Sequence, residues 1–351
     1  MPVQVRFAPS PTGSLHVGSA LTAVANRDFA DERGGVLLLR IDDTHPARVV
    51  AGAEASILED LRWLGIAWDE GPVHQSGRGD FYTEAAARLE ESGAAARDDD
   101  GSLRFEAEGR PTLVRADGTA TYHLASVVDD AGLGVTHVIR GQDLLPSTPL
   151  HQAIARALGA EPPEFVHHGL LVGEDGTKLS KRHGAISLAE LRGRGLPPEA
   201  LRRYLTELGL PRGDVHFDEA RLARLAVEAL AALSDEELAE RAGAPVAYAP
   251  ALRGAHDLAE ARALADLITE PPAATPAESP ETLERFRALR EAAPDELDAD
   301  AAHALVAQLK EAGGNLRALR LALTGVGRGP ELWTLLVALP RREAIRRATP
   351  P

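Results

Sequence analysis

The chain contains no cysteine, which excludes disulfides, thiolate nucleophiles and cysteine-ligated zinc. Lysine is nearly absent too. Of 38 basic side chains only Lys178, Lys181 and Lys310 are lysines, and two of the three fall within four residues of each other. The formal net charge of −15 excludes a uniformly basic nucleic-acid binder. No uninterrupted apolar run approaches the roughly 20 residues of a membrane span, and Met1 to Ser10 lacks the basic-then-apolar pattern of a signal peptide. The expectation is a cytoplasmic protein with no membrane partner. The 12 histidines are scattered, without the carboxylate clustering that a metal ion would need, so no metal site is expected. What the sequence does have is a large apolar share, 44%, beside 26% charged residues. Over 351 residues this supports two or three folded domains and argues against whole-chain disorder.

The first two hundred residues alternate β-branched or leucine-rich runs with amphipathic stretches, the pattern of a parallel sheet covered by helices. Val3 to Ala8 and Val36 to Ile41 read as strands, and Ser14 to Arg33 and Ala51 to Leu64 as helices. Further strands are expected over Val135 to Ile139 and Val166 to Val172, with a helix over Ser147 to Leu158 between them. After Ser187 no strand is expected. Helices follow over Leu188 to Arg192, Pro198 to Leu208, Glu219 to Leu233 and Ser234 to Ala242. The reading is a parallel α/β nucleotide-binding domain over 1–210, a helical region over 211–270, a Pro-rich linker over 271–280 and a second helical region over 281–351. From Ala312 onward the charge is +5, carried by Arg317, Arg320, Arg328, Arg341, Arg342, Arg346 and Arg347, against −20 for the remainder. These arginines suit a basic contact face, and equally suit solvated helix surfaces.

Two segments carry chemistry. The first is Arg6-Phe-Ala-Pro-Ser-Pro-Thr-Gly-Ser-Leu-His-Val-Gly-Ser19, between the first strand and the first helix, where open α/β sheets bind ligands. Pro9 and Pro11 stiffen the turn, Gly13 and Gly18 let a ligand approach the backbone, and the helix offers its N-terminal N–H groups to phosphate. His16 falls at that phosphate position, although a histidine at a helix start is also structurally ordinary. The second is Gly173-Glu-Asp-Gly-Thr-Lys-Leu-Ser-Lys-Arg182, after the last candidate strand. Mobile ammonium groups there suit a polyphosphate whose charge moves during reaction, and would also suit a solvated basic turn.

Together the segments resemble the two signatures of class I aminoacyl-tRNA synthetases, as His16-Val-Gly-Ser19 and Lys178-Leu-Ser-Lys-Arg182. Arg40-Ile-Asp-Asp-Thr44, Trp63-Leu-Gly with Asp69-Glu-Gly-Pro72, Gln75-Ser76, Thr121-Tyr-His-Leu-Ala125 with Val127-Val-Asp-Asp130, Gly134-Val-Thr-His-Val-Ile-Arg140 and Ser147-Thr-Pro149 follow in the order of glutamyl-tRNA synthetases. Leu316 to Gly325 also looks like part of that family's anticodon-binding region. The resemblance implies a Rossmann-like catalytic domain followed by an all-helical C-terminal region, with 211–270 contacting the tRNA stem. It implies ATP with Mg²⁺ and no zinc, L-glutamate and tRNA(Glu) as partners, and a monomer. It places ATP at Pro9, Ser10, Thr12, Gly13, His16, Gly18, Ser19, Lys178, Ser180 and Lys181, with His16, Lys178 and Lys181 as the catalytic set. Glutamate falls to Arg6 and Tyr122 for the side-chain carboxylate, Ala8, Ser10 and Asp42 for the ammonium, Arg140 for the α-carboxylate, and Ser126. Arg317, Arg320, Arg328, Arg341 and Arg342 are implied tRNA contacts.

The chain departs from the family pattern at several points. Asp42 stands where Glu is usual, Ser126 where Asn is common, Gln142 where Glu often follows Arg-Gly, and His45 where Asp is usual. Only 45 residues separate Ser76 from Tyr122, where the family inserts a longer acceptor-gripping domain. The reduced insert, at about 90–120, is expected to hold no more than a small hairpin over Asp98 to Leu113. Three other functions remain open: a glutamyl-queuosine tRNA(Asp) synthetase-like enzyme, a glutamyl-adenylate-forming ligase with a non-tRNA acceptor, and a non-catalytic tRNA-binding regulator. The first is disfavoured by the missing cysteine and the long C-terminal part, the last by retention of His16, Gly18, Lys178 and Lys181.

Overall fold

The computed structural model describes residues 2–173, 176, 177, 179, 186–271 and 278–349. They form two compact units, residues 1–191 with 201–219 and residues 192–200 with 220–351.

In the first unit β1 (Gln4–Phe7), β2 (Val36–Ile41) and β3 (Glu70–His74) form a parallel sheet in the order β1-β2-β3. Between them run α1 (Val17–Glu32) and α2 (Ala53–Trp63). Val5, Phe7, Leu37, Leu38, Leu39 and Ile41 are all buried, as a sheet covered on both faces requires. α3 (Gly79–Glu91) leads into the insert strands β4 (Ala95–Arg97), β5 (Leu103–Phe105) and β6 (Thr112–Val114). Then come α4 (Tyr122–Gly132), β7 (His137–Gly141), α5 (Thr148–Ala157) and β8 (Glu164–His168). β7 and β8 pair in parallel, and the Thr136 N–H donates to Gln4 O at 2.9 Å, bringing this pair against the free side of β1.

The first helix starts three residues later than the pattern suggests. His16 takes the N-cap, accepting from Ser19 N, and the preceding Ser14 and Leu15 are held instead by the buried Asp60 carboxylate of α2. The expected strand over Val166 to Val172 is split. Gly169 N–H donates to Pro211 O, and a Cβ at Gly169 would lie 1.8 Å from Gly213 O, so the backbones touch there. β8 ends before that point. β9 (Leu171–Val172) pairs instead with β10 (Val215–His216), a short strand beyond Ser187 where the sequence reading has none. α6 (Leu188–Gly193) and α7 (Pro198–Leu208) lie between them in the chain. The insert is more than a hairpin. β4, β5 and β6 make a three-stranded antiparallel sheet whose Leu103, Phe105, Leu113 and Val114 pack with Leu89, Leu124 and Ile154.

The second unit contains α8 (Glu219–Ala232), α9 (Asp235–Ala242), α10 (Ala249–Leu252) and α11 (Leu258–Thr269). α12 (Pro280–Ala292), α13 (Ala299–Glu311), α14 (Leu316–Thr324), α15 (Leu332–Ala338) and α16 (Arg341–Arg347) complete it. α9 opens on a capping box formed by Ser234 and Glu237. Two apolar cores result, one around Leu230, Leu238 and Leu252 and one around Phe286, Leu309 and Leu335. Tyr248 packs against both, Ala251 and Leu252 divide between them, and α11 gives Ala265 to one and Ile268 to the other. Of the Pro-rich stretch, residues 272–277 lie outside the described set. No helix among the described residues is long and apolar enough to cross a membrane.

Candidate active site

A cavity of about 360 Å³ opens at the C-terminal ends of β1 and β7. The turn after β1 supplies Ala8, Pro9 and Ser10, the start of α1 supplies His16, Gly18 and Ser19, and Arg6, Asp42, Tyr122 and Arg140 complete the expected set. Ten of the residues picked from sequence therefore meet in one place. Thr12 lines an adjoining smaller cavity that shares Ser10, Asp42 and Tyr122 with the first. Gly13 has φ 128°, a conformation open to glycine, but lines neither cavity. Ser126 is buried one turn beyond Tyr122, its Oγ without a hydrogen-bond partner, and does not reach the cavity.

The His16 ring is fixed by Ser19. Nδ1 accepts from Ser19 N at 3.2 Å and Nε2 lies 2.9 Å from Ser19 Oγ, so the ring proton belongs on Nε2. That N–H is the donor a ligand oxygen would meet. Lys178, Ser180 and Lys181 lie outside the described residues. Between them in the chain Leu179 lines the cavity, and beyond them Ile186 O accepts from Val17 N while Leu188 N donates to Leu15 O.

Beneath the cavity lies an ion network that the sequence reading missed. Arg40 is fully buried. It donates to Asp42 at 2.7 and 3.3 Å and to Asp130 at 2.7 Å, and Asp130 also accepts from Arg6 Nε at 3.3 Å. Asp129, equally buried, accepts from Gln75, Arg78 and Tyr82. Burial pushes Asp42 above the usual carboxylate range although Arg40 pulls it down. Burial acts on Asp130 as well, but Arg6 and Arg40 together hold it below that range. Arg6 and Arg40 thus share Asp130, which with Asp129 stands in the quoted Val127-Val-Asp-Asp130 motif, although the motif does not say which arginines the carboxylates meet.

Arg140 differs from the rest. The residue is 3% exposed, and its guanidinium donates only to neutral groups: Tyr122 Oη at 3.2 Å, His167 Nε2 at 3.3 Å, His151 Nδ1 at 3.4 Å, Leu144 O at 3.1 Å and Thr148 Oγ1 at 2.9 Å. Burial, then the like charge of Arg6, lowers its pKa. Among the described residues, Arg6, Arg40 and Arg78 pair with Asp42, Asp129 and Asp130, whereas Arg140 makes no ion pair. A buried cation of this kind favours an anionic ligand.

The model of the class I tRNA synthetase catalytic domain of the E and Q group matches residues 2–110 and 101–224. The chain belongs to this family. Among class I synthetases it is 33% identical to a glutamate–tRNA ligase of Akkermansia muciniphila, over 98% of this chain and 98% of that protein. It is 45% identical to glutamate–tRNA ligase 1 of Rubrobacter xylanophilus over 61% of this chain, and there it spans just over half, 56%, of the relative's length. The crystal structure of a glutamate tRNA ligase from Elizabethkingia meningosepticum, in complex with its amino acid, shares the fold with a TM-score of 0.80 at 24% identity, covering 99% of this chain and 98% of that one.

Of the arginines expected to touch tRNA, Arg317, Arg328 and Arg342 are exposed. Arg320 is half-buried, with a buried Nε that has no partner, and Arg341 is tied to Ala293 O at 3.2 Å and lies 3.6 Å from Asp295.

Proposed function

We propose that this class I synthetase ligates L-glutamate to tRNA(Glu) through glutamyl-adenylate, in the cytoplasm, using ATP with Mg²⁺. The observation that carries the reading is that Arg6, Arg140, Tyr122 and Asp42 line one cavity with His16, two guanidinium groups for the two carboxylates of glutamate and a carboxylate for its ammonium, where glutamine would offer only one carboxylate. A glutamate α-carboxylate oxygen attacks the α-phosphorus of ATP, the bond to the bridging oxygen breaks, and pyrophosphate leaves. The ribose hydroxyl at the tRNA 3′ end then attacks the mixed anhydride and AMP departs. Neither step asks the protein for a covalent bond, so positioning and charge stabilisation do the work.

In this reading the free terminal nitrogens of Arg6, together with Tyr122 Oη, take the side-chain carboxylate. Asp42, Ala8 and Ser10 take the ammonium, and Arg140 the α-carboxylate. His16 Nε2–H gives up Ser19 Oγ for a phosphate oxygen, and Lys178 and Lys181 follow charge into the pyrophosphate. The long alignments with glutamate–tRNA ligases support tRNA as acceptor.

The test is to follow pyrophosphate exchange and acid-precipitable amino acid with ATP, Mg²⁺ and each amino acid, with and without unfractionated tRNA. Glutamate ester on tRNA(Glu), lost in Lys181→Ala, is the expected result. Exchange without charging would point to a small acceptor, label on a modified wobble base to the queuosine-type enzyme, and neither activity to a regulator.

A further inference from the structure

Among the described residues Arg140 lines the cavity without a carboxylate at ion-pair distance; His151 and His167 contact it, and His123 backs His151. His151 lies on α5 and is 3% exposed, His123 lies on α4, and His167 on β8. A guanidinium only donates hydrogen bonds, so any ring nitrogen facing it must be unprotonated. That rule assigns the tautomers along the chain of contacts. His151 Nδ1 and His167 Nε2 accept from Arg140 at 3.4 and 3.3 Å. The His151 proton is then on Nε2, which donates to His123 Nδ1 at 3.1 Å, leaving the His123 proton on Nε2. Thr148 Oγ1 accepts from Arg140 and lies 3.1 Å from His167 Nε2, to which its hydroxyl donates.

We propose that His151, backed by His123 and joined by His167, is a positioning residue that orients Arg140 with uncharged acceptors and so reserves its charge for an anionic group of the ligand. The proposal rests on the reading above, in which that group is the amino-acid α-carboxylate. The other arginines of the cluster have Asp partners, and a carboxylate at position 151 would likewise satisfy Arg140 and compete with the ligand. The groups that act on His151 are Arg140, His123, Asp130 and Arg6, and the aromatic face of Tyr122 lies 5.3 Å from its ring. Asp130 is occupied by Arg6 and Arg40. Burial first, then Arg140, pushes His151 down to about 3, and burial with Arg140 also lowers His123 and His167, so all three rings are neutral at working pH.

The experiment has two arms. In the full-length wild-type protein without ligand, ¹⁵N-histidine NMR should show His151 neutral with its proton on Nε2 from pH 5 to 8. An imidazolium, or a proton on Nδ1, overturns the proposal. In the second arm glutamate binding is measured by calorimetry for His151→Asn, His151→Leu and His151→Asp, each checked by thermal melting. Asn keeps an uncharged acceptor and should bind within about threefold of wild type, Leu about tenfold weaker, and Asp roughly 100-fold weaker. A purely structural role would make Leu and Asp track the loss in melting temperature, and equal affinity of Asp and Asn overturns the proposal. Wild type that binds no glutamate would overturn the proposed function, while the ligand-free tautomers still decide the positioning set.

Discussion

A methyl group on Gly18 would lie 3.1 Å from Nδ1 and 3.2 Å from Cε1 of His16. The ring that presents Nε2–H to the cavity is therefore seated against a bare backbone, and Gly18→Ala should displace it while slightly favouring the helix. The expected outcome is a loss of roughly tenfold or more in pyrophosphate exchange at unchanged melting temperature. At this scale much of the site was legible. Arg6, Tyr122 and Arg140 follow from ordered motifs, and all three line the cavity. What could not be read was which charge answers which. Asp130 meets Arg40 across 90 residues of sequence, and the motif that holds Asp129-Asp130 does not name the partner of either carboxylate until the strands are folded against the helix. Ser126 shows the opposite failure, since a position inherited from a motif says nothing about whether the shorter serine side chain reaches the ligand space.

At the scale of elements, the turn before α1 hangs on one carboxylate. Asp60 Oδ2 accepts from Ser14 Oγ at 2.7 Å and from Leu15 N at 2.8 Å in a buried setting. Asp60→Ala leaves those donors unpaired and should cost about 2–3 kcal/mol in denaturant unfolding, with exchange activity falling alongside. In α16, Glu343 is drawn down to about 2, chiefly by hydrogen bonding to Arg346, then to Arg347, which reaches on to Leu323 O of α14. A depressed carboxylate stabilises the fold above its ordinary value, 4.5, and that contribution is lost as pH falls towards 2. Glu343→Gln should therefore cost about 1 kcal/mol at pH 7 and nothing at pH 2, measured by unfolding at both. Long elements were readable because apolar spacing repeats several times in them. β4, β5, β6 and β10 have three residues or fewer, too short for any period, and the break at Gly169 is set by the distant backbone of Pro211 and Gly213.

For the molecule as a whole, an acidic body of charge −20 carries a tail of charge +5 from Ala312 onward. Arg317, Arg328 and Arg342 are the exposed members of the tail's implied contacts. If they neutralise phosphates, replacing all three with Gln should lower the slope of log affinity for tRNA against log salt by about 2 to 3, while leaving glutamate affinity alone. A slope unchanged in the triple variant would remove the tail from the interface.

The shared residues of the second unit bear on how it comes apart. Tyr248, α10 and α11 belong to both apolar cores, so loosening either one uncovers surface of the other. The helices from α8 to α16 should then open as one cooperative body. Amide hydrogen exchange in α9 and α13, drawn from different cores, would report a common opening free energy.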